Sequence, residues 1–86
     1  MHHRRVCTKE WKGIRKEAFY FVAKNSAKPV SLTPDGTKTF PFVEGPCTVP
    51  ANGEKLFHLI DQAGKFTYYA KPCVQSEGNP RTVIIT

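Results

Sequence analysis

The sequence predicts a small all-β protein, and three observations lead to this fold class. Several short runs read as strands, among them Lys55 to Asp61 and Lys65 to Ala70, where a period of two assigns side chains alternately to the two faces of a sheet. Turn signals such as Pro34-Asp35-Gly36 separate these runs. No segment keeps an apolar helical spacing without interruption. About seven short strands joined by turns are typical of a β-sandwich or a small barrel.

The length and the charge suggest one domain with an uneven surface. A chain of 86 residues forms a single domain, here spanning residues 1–86. The net charge is +6, and six cations against Glu10 give residues 1–16 a charge of +5, which leaves +1 for the rest. Residues 1–16 therefore form a basic N-terminal segment. No run approaches the roughly 20 apolar residues of a transmembrane helix, and none resembles a signal peptide.

The N-terminal quarter reads as two strands with a connection between them. We predict a short strand at Arg5 to Thr8 and a connection at Lys9 to Lys16, where Gly13 interrupts a helical spacing of apolar residues. Ala18 to Lys24 is aromatic and β-branched, which predicts a strand that ends at Asn25.

The middle of the chain predicts two more strands. Val30 to Thr33 is the first, and it is closed by a turn. Thr37 to Val43 is the second, with Phe40 and Phe42 on one side and Pro41 on the other. Because proline cannot donate a ladder hydrogen bond, we place this strand at a sheet edge or beside a bulge.

The C-terminal part predicts the remaining strands. Cys47 to Val49 begins a segment that leads to the alternating runs Lys55 to Asp61 and Lys65 to Ala70. Thr82 to Thr86 contains an uninterrupted apolar run, as expected for a strand inside a sheet. His58 has no second histidine or carboxylate at strand spacing, so we interpret it as a structural histidine.

Four segments resemble cupredoxins, the small Greek-key β-sandwiches of plastocyanins and phytocyanins. They are P-A-N-G-E at Pro50 to Glu54, G-K-F-T-Y-Y-A-K-P-C at Gly64 to Cys73, the final strand Thr82 to Thr86, and F-Y-F-V-A-K-N at Phe19 to Asn25. With the stretches between them they span residues 19–86, about four fifths of the chain. The resemblance implies a small cupredoxin-like Greek-key sandwich.

The copper ligands of that family are missing. A blue-copper site needs two histidines and a cysteine thiolate, usually with a weak axial methionine. The position that resembles the family's cysteine holds Ala70, the position of a histidine holds Cys73, and no methionine follows Met1. Val30-Ser31-Leu32 stands where the first histidine is expected. The resemblance therefore implies the fold alone, with no cofactor and no metal.

The three cysteines show no C-x-x-C spacing, which disfavours a zinc knuckle or a thioredoxin-type redox pair. In phytocyanins, a cysteine in the loop that resembles the one at Cys73 is bonded to a cysteine in the segment before the C-terminal hairpin. Cys47 lies in a comparable segment, so the resemblance implies a disulfide between Cys47 and Cys73. The alternative is free, buried cysteines. A bridge favours an extracytoplasmic or secreted protein, and free thiols a cytoplasmic one.

A scaffold that keeps its fold without its ligands suggests a binding module rather than an enzyme, with a protein as the expected partner. We assign no catalytic residue. The candidate interaction loops lie at the end where the family binds metal. Their residues are Val30, Ser31, Leu32, Lys71, Val74 and Gln75.

Two alternatives stay open. A small barrel could bind nucleic acid through the basic segment, because cations neutralise phosphates and an exposed indole stacks on bases. The candidate patch is Arg4, Arg5, Trp11, Lys12, Arg15 and Lys16. A copper-handling protein could instead use a non-standard site, for which an amine, two amides and the imidazole of Met1-His2-His3 offer a square-planar donor set.

Overall fold

A computed structural model describes residues 2–24, 26–73 and 80–86, which form eight β-strands and no helix. The strands are β1 (His2–Arg5), β2 (Glu10–Gly13), β3 (Ala18–Val22), β4 (Val30–Pro34), β5 (Cys47–Val49), β6 (Glu54–His58), β7 (Gly64–Lys71) and β8 (Arg81–Ile85). The predicted all-β fold class is confirmed. Within these residues there is no helix that could span a membrane.

The strands form two mixed sheets that enclose one core. The three-stranded sheet has the order β1-β3-β6, and the five-stranded sheet has the order β2-β8-β7-β4-β5. Two pairs are parallel, β1 with β3 and β2 with β8, and the other pairs are antiparallel. Because β1 and β2 belong to different sheets, the connection at residues 6–9 crosses from one sheet to the other.

Two predictions at the N-terminus are wrong. The first strand is His2–Arg5 rather than Arg5 to Thr8, and Glu10–Gly13 is a strand rather than part of a connection. Both strands are held by parallel pairing with distant segments, which local sequence patterns do not reveal. Gly13 lies inside β2, and a Cβ there would lie 2.5 Å from Cδ1 of Leu59, so a larger residue would force the Leu59 side chain to shift.

The core is strongly aromatic. Inward-facing residues alternate along each strand, as in β3, where Phe19 and Phe21 are fully buried and their rings meet edge to face at 4.8 Å. The cluster is completed by Trp11, Phe42, Phe57 and Tyr68. The predicted strands at Ala18 to Lys24, Val30 to Thr33, Lys65 to Ala70 and Thr82 to Thr86 are confirmed to within two residues.

Residues 37–43 do not form the predicted strand. Only Phe42 makes a bridge, to Leu59, and the segment lies across the edge beyond β6. Val43 donates its backbone N–H to the carbonyl of His58, and Ile60 donates to the carbonyl of Pro41. Pro41 is buried at this crossing, where its lack of a donor permits single hydrogen bonds but not a continuous ladder.

Candidate interaction surfaces

A disulfide between Cys7 and Cys73 closes one end of the sandwich. The two Cα atoms are 5.7 Å apart, and the bridge joins the β1–β2 connection to the residues that follow β7. The β1–β2 connection is also tied to the five-stranded sheet, because the backbone carbonyl of Lys9 accepts a hydrogen bond from the N–H of Thr82 in β8. We call this the disulfide end of the molecule.

The predicted bridge between Cys47 and Cys73 is wrong. Cys47 pairs with Leu32, and Leu32 in turn pairs with Ala70 of β7. Cys47 therefore lies two strands from β7, or roughly 10 Å at normal strand spacing, which exceeds the reach of a disulfide. It is a free, half-buried cysteine, and burial raises the pKa of its thiol. The pairing implied by the phytocyanin resemblance is wrong because the connection between β1 and β2 brings Cys7, rather than Cys47, next to Cys73.

Arg81 places a buried positive charge beneath the disulfide. Its side chain is 1% exposed, and its Nη1 donates a 2.7 Å hydrogen bond to the carbonyl of Cys7. Arg81 also pairs with Tyr68 in the β7–β8 ladder. The pKa of Tyr68 is raised to about 12 by burial, against the opposing effects of the Trp11 hydrogen bond and of the nearby arginine charges. Sequence patterns alone do not predict a buried arginine.

The described residues at the disulfide end offer few metal ligands. Ala70 is buried, Cys73 is consumed by the bridge, and Val30 and Leu32 are core residues of β4. Among residues 2–24, 26–73 and 80–86 there is no group of three His, Cys, Asp or Glu side chains that could hold a metal ion.

The candidate interaction loops are only partly surface features. Val30 and Leu32 are fully buried, so both are wrong as contact residues, because they alternate inward along a strand rather than forming a loop. Ser31 and Lys71 are exposed and directly opposite each other in the β4–β7 ladder. The candidates Val74 and Gln75 lie outside the described residues.

The basic residues of the candidate nucleic-acid patch do not form one surface. Trp11 is 8% exposed and donates its Nε1–H to the hydroxyl of Tyr68 at 2.8 Å, so it is a core residue and not a stacking platform. Arg4 lies over the Trp11 ring at 4.4 Å and forms a 2.8 Å ion pair with Glu17.

The four remaining members of that patch are exposed, but on different parts of the molecule. Arg5 ends β1 in the three-stranded sheet, and Lys12 lies on the outer side of β2 in the five-stranded sheet. Arg15 and Lys16 lie in the β2–β3 connection. Side chains alternate between the two sides of a strand, so Trp11 faces the core while Lys12 faces outward, and the other cations lie on different elements.

The histidines near the N-terminus belong to a β-ladder. His2 and His3 pair with Phe19 and Tyr20, and the His3 ring stacks on that of Tyr20 at 5.3 Å. His3 Nε2 is 3.7 Å from a carboxylate oxygen of Glu54. A square-planar copper site built on backbone amides of the first residues would compete with this pairing.

A carboxylate–histidine pair holds the edge of the three-stranded sheet. Glu44 accepts the backbone N–H of His58 at 2.8 Å with one oxygen and the Nδ1–H at 2.5 Å with the other. Glu44 follows Val43 in a turn that ends at Gly45, whose φ of +77° favours glycine. Glu44 and His58 are 14 residues apart, so no local spacing pattern predicts this pair. It supports the interpretation of His58 as structural.

We expect this pair to make stability depend on acid pH. Burial acts to raise the pKa of Glu44, but the hydrogen bonds from His58 outweigh it and lower that pKa. A carboxylate with a depressed native pKa stabilises the fold above its unfolded pKa, and this contribution disappears as the pH falls through the native value. Glu44→Gln should therefore lower the free energy of unfolding by roughly 1 to 2 kcal/mol at pH 7 and by less at acid pH.

Chemical denaturation of the two proteins between pH 7 and pH 3 measures this difference. Glu54→Gln is the matched control, because its carboxylate is half exposed and lies 3.7 Å from Nε2 of His3. A stability gap for Glu44→Gln that stays constant over this range would contradict the linkage.

The outer face of the five-stranded sheet carries cations and hydroxyl groups. Lys12, Ile84 and Lys65 occupy one row across β2, β8 and β7, because Lys12 pairs with Ile84 and Ile84 with Lys65. Lys71 lies at the far end of β7. We call this surface the cationic face. Its hydroxyl-bearing residues are Ser31, Thr33, Thr48, Thr67, Tyr69 and Thr82.

A shallow cleft of about 440 Å³ adjoins this face at the start of β7. It is lined by Lys38, Thr39, Lys65, Phe66 and Thr67. At its rim Thr67 donates to Asp35 at 2.8 Å, and Lys38 lies 3.4 Å from the same carboxylate oxygen. The Thr67 hydrogen bond is the main cause of the lowered pKa of Asp35. The cleft thus offers ammonium and hydroxyl groups together.

Comparisons with known proteins give no family assignment. No protein-family model matches the chain, and no curated protein gives a significant match.

Proposed function

We propose that this protein is a cupredoxin-like binding module without a blue-copper centre. The proposed similarity to the cupredoxin fold is supported by the eight described strands in two sheets and by the repeated crossing of the chain between these sheets. Support for the lost metal site comes from the side chains at the disulfide end. Fold alone does not define a function, so the proposal rests on that end of the molecule.

The observation that carries the proposal is the Cys7–Cys73 disulfide, because it takes up the cysteine that stands where the resemblance expects a copper ligand. Cys73 is bonded to Cys7, and its sulfur is therefore not a thiolate ligand. The guanidinium of Arg81 is buried and anchored to the Cys7 carbonyl. This end is suited to rigidity rather than to redox chemistry.

The disulfide supports a location outside the reducing cytoplasm. Disulfides persist in oxidising compartments and are rare in cytosolic proteins. We therefore place the binding module in an extracytoplasmic or secreted setting, where its partner would also be found.

Copper titration tests this proposal. The protein, purified without a metal-affinity tag and kept oxidised, is titrated with Cu(II) and with Cu(I), and bound metal is measured after desalting. The variant His3→Ala controls for chelation by the first residues, which has nothing to do with a cupredoxin site. We expect His3→Ala to retain no stoichiometric copper. One equivalent of tightly held copper in this variant, with an intense thiolate-to-copper absorption, would overturn the proposal.

A further inference from the structure

We propose that the cationic face binds an acidic polysaccharide, a sugar polymer that carries carboxylates or sulfates. This inference rests on the proposed function, since it gives the binding module a surface and a ligand class. The face carries Lys12, Lys38, Lys65 and Lys71 against Glu10 and Asp35, a net charge of four minus two, or +2.

The spacing of the cations suits an extended polyanion. Lys12 and Lys65 are two strands apart in one row, so their Cα atoms are roughly 10 Å apart at normal strand spacing. Lys71 is six residues along β7 from Lys65, or about 20 Å at the rise of an extended strand. Among the described residues neither Lys12 nor Lys65 forms an ion pair, so both ammonium groups are available to a ligand.

Hydroxyl groups fill the space between the cations. Thr67 and Thr82 face each other across β7 and β8, and Thr33 lies opposite Tyr69 across β4 and β7. Threonine is β-branched and therefore stiff at χ1, so these hydroxyls are held in place before a ligand arrives. Thr67 already donates to Asp35, so its oxygen is left as an acceptor, whereas the hydroxyls of Thr33 and Thr82 can donate and accept, as do those of a sugar. Ile84 adds a half-buried apolar contact in the centre of the face.

A polysaccharide fits this face better than a nucleic acid. Single-stranded nucleic acids are bound by aromatic rings on which successive bases stack. Here Trp11 is buried, and the ring of Tyr69 is already contacted by the ammonium of Lys71 at 5.0 Å. The Cys7–Cys73 bridge would persist in an oxidising compartment, outside the reducing cytoplasm. Charge complementarity and hydroxyl chemistry then point to the same ligand.

The test measures the affinity of the oxidised protein for polygalacturonate and for dextran sulfate, which separate carboxylate from sulfate recognition. Neutral dextran, polyuridylate and vesicles with phosphatidylserine serve as comparison ligands. We expect binding to at least one acidic polysaccharide, no binding to neutral dextran, and affinity that falls as salt rises. Polyuridylate and the vesicles should bind more weakly than the acidic polysaccharide at the same concentration of negative charge.

Two matched variants locate the site. Lys12→Ser/Lys65→Ser removes two cations from the cationic face. Lys24→Ser/Lys28→Ser removes two exposed cations from the β3–β4 connection, and both variants lower the net charge from +6 to +4. We expect the first to lower affinity roughly tenfold or more and to reduce the salt dependence, and the second to change affinity less than about threefold. Thermal unfolding checks that both variants are folded.

Three outcomes would overturn the inference. They are an absence of binding to both acidic polysaccharides, equal losses in the two variants, and tighter binding to polyuridylate or to the vesicles. Each of these leaves the proposed function in place, because that proposal is decided by the copper titration. Stoichiometric copper in His3→Ala would remove the proposed function even if the polysaccharide bound.

Discussion

Replacing both bridged cysteines, in the variant Cys7→Ser/Cys73→Ser, is expected to lower the free energy of unfolding by about 4 kcal/mol. The physical reason is the length of the closed loop, since the two residues are separated by 66 positions and the bridge restricts most of the unfolded chain. A domain of this size is stabilised by only about 5 to 15 kcal/mol in total. The melting temperature should therefore fall by roughly 15 °C or more.

Urea unfolding, followed by the fluorescence of Trp11, measures this loss. The control is Cys47→Ser, which removes the free, half-buried thiol and should cost about 1 kcal/mol or less. The wild-type protein after reduction should behave like the double variant. A stability loss confined to Cys47→Ser, with the double variant close to wild type, would contradict the bridge described here.

Truncation of Trp11 should be the most damaging single change outside the disulfide. The indole is buried, meets the rings of Phe19 and Phe21 at their edges, and donates to Tyr68 in the core. Trp11→Ala removes these contacts and leaves a cavity, at an expected cost of about 3 to 5 kcal/mol. If Trp11 were instead a solvent-exposed stacking residue for nucleic acid, the cost in stability would be below about 0.5 kcal/mol.

A double-mutant cycle separates the hydrogen bond from the packing. Trp11→Phe keeps a ring but removes the donor, so the buried hydroxyl of Tyr68 loses a partner at a cost of about 1 to 3 kcal/mol. Tyr68→Phe in the same background removes that hydroxyl and should recover part of the loss. Strictly additive effects of the two substitutions would show that the Trp11–Tyr68 bond does not couple them.

Local patterning predicted the strands that pair through regular alternation. In β3 and β7 every second residue is apolar and buried, so both strands could be read from the sequence to within two residues. In β1 the four residues are H-H-R-R, which carry no strand propensity. That strand exists because it pairs in parallel with β3, and such a long-range contact has no local signature.

The candidate surfaces could not be predicted from the sequence for the same reason, because they depend on which strands are neighbours in the sheets. Lys12 and Lys65 are 53 positions apart in the sequence, and they share a row only because β8 lies between their strands. The Cys7–Cys73 bridge depends on the crossing between sheets after β1, which the sequence analysis did not predict. The missing copper ligands, in contrast, could be inferred from residue identity alone, because a position that holds Ala70 supplies no ligand side chain.

The most direct test of the binding surface is an amide NMR titration of the oxidised, isotope-labelled protein. The ligands are tetragalacturonate and a sulfated tetrasaccharide. We predict saturable shifts concentrated in β2, β7 and β8, around Lys12, Lys65 and Thr82, with little change in the three-stranded sheet. Shifts confined to β1, β3 and β6, or no shifts with either ligand, would contradict the assignment of the cationic face as the binding site.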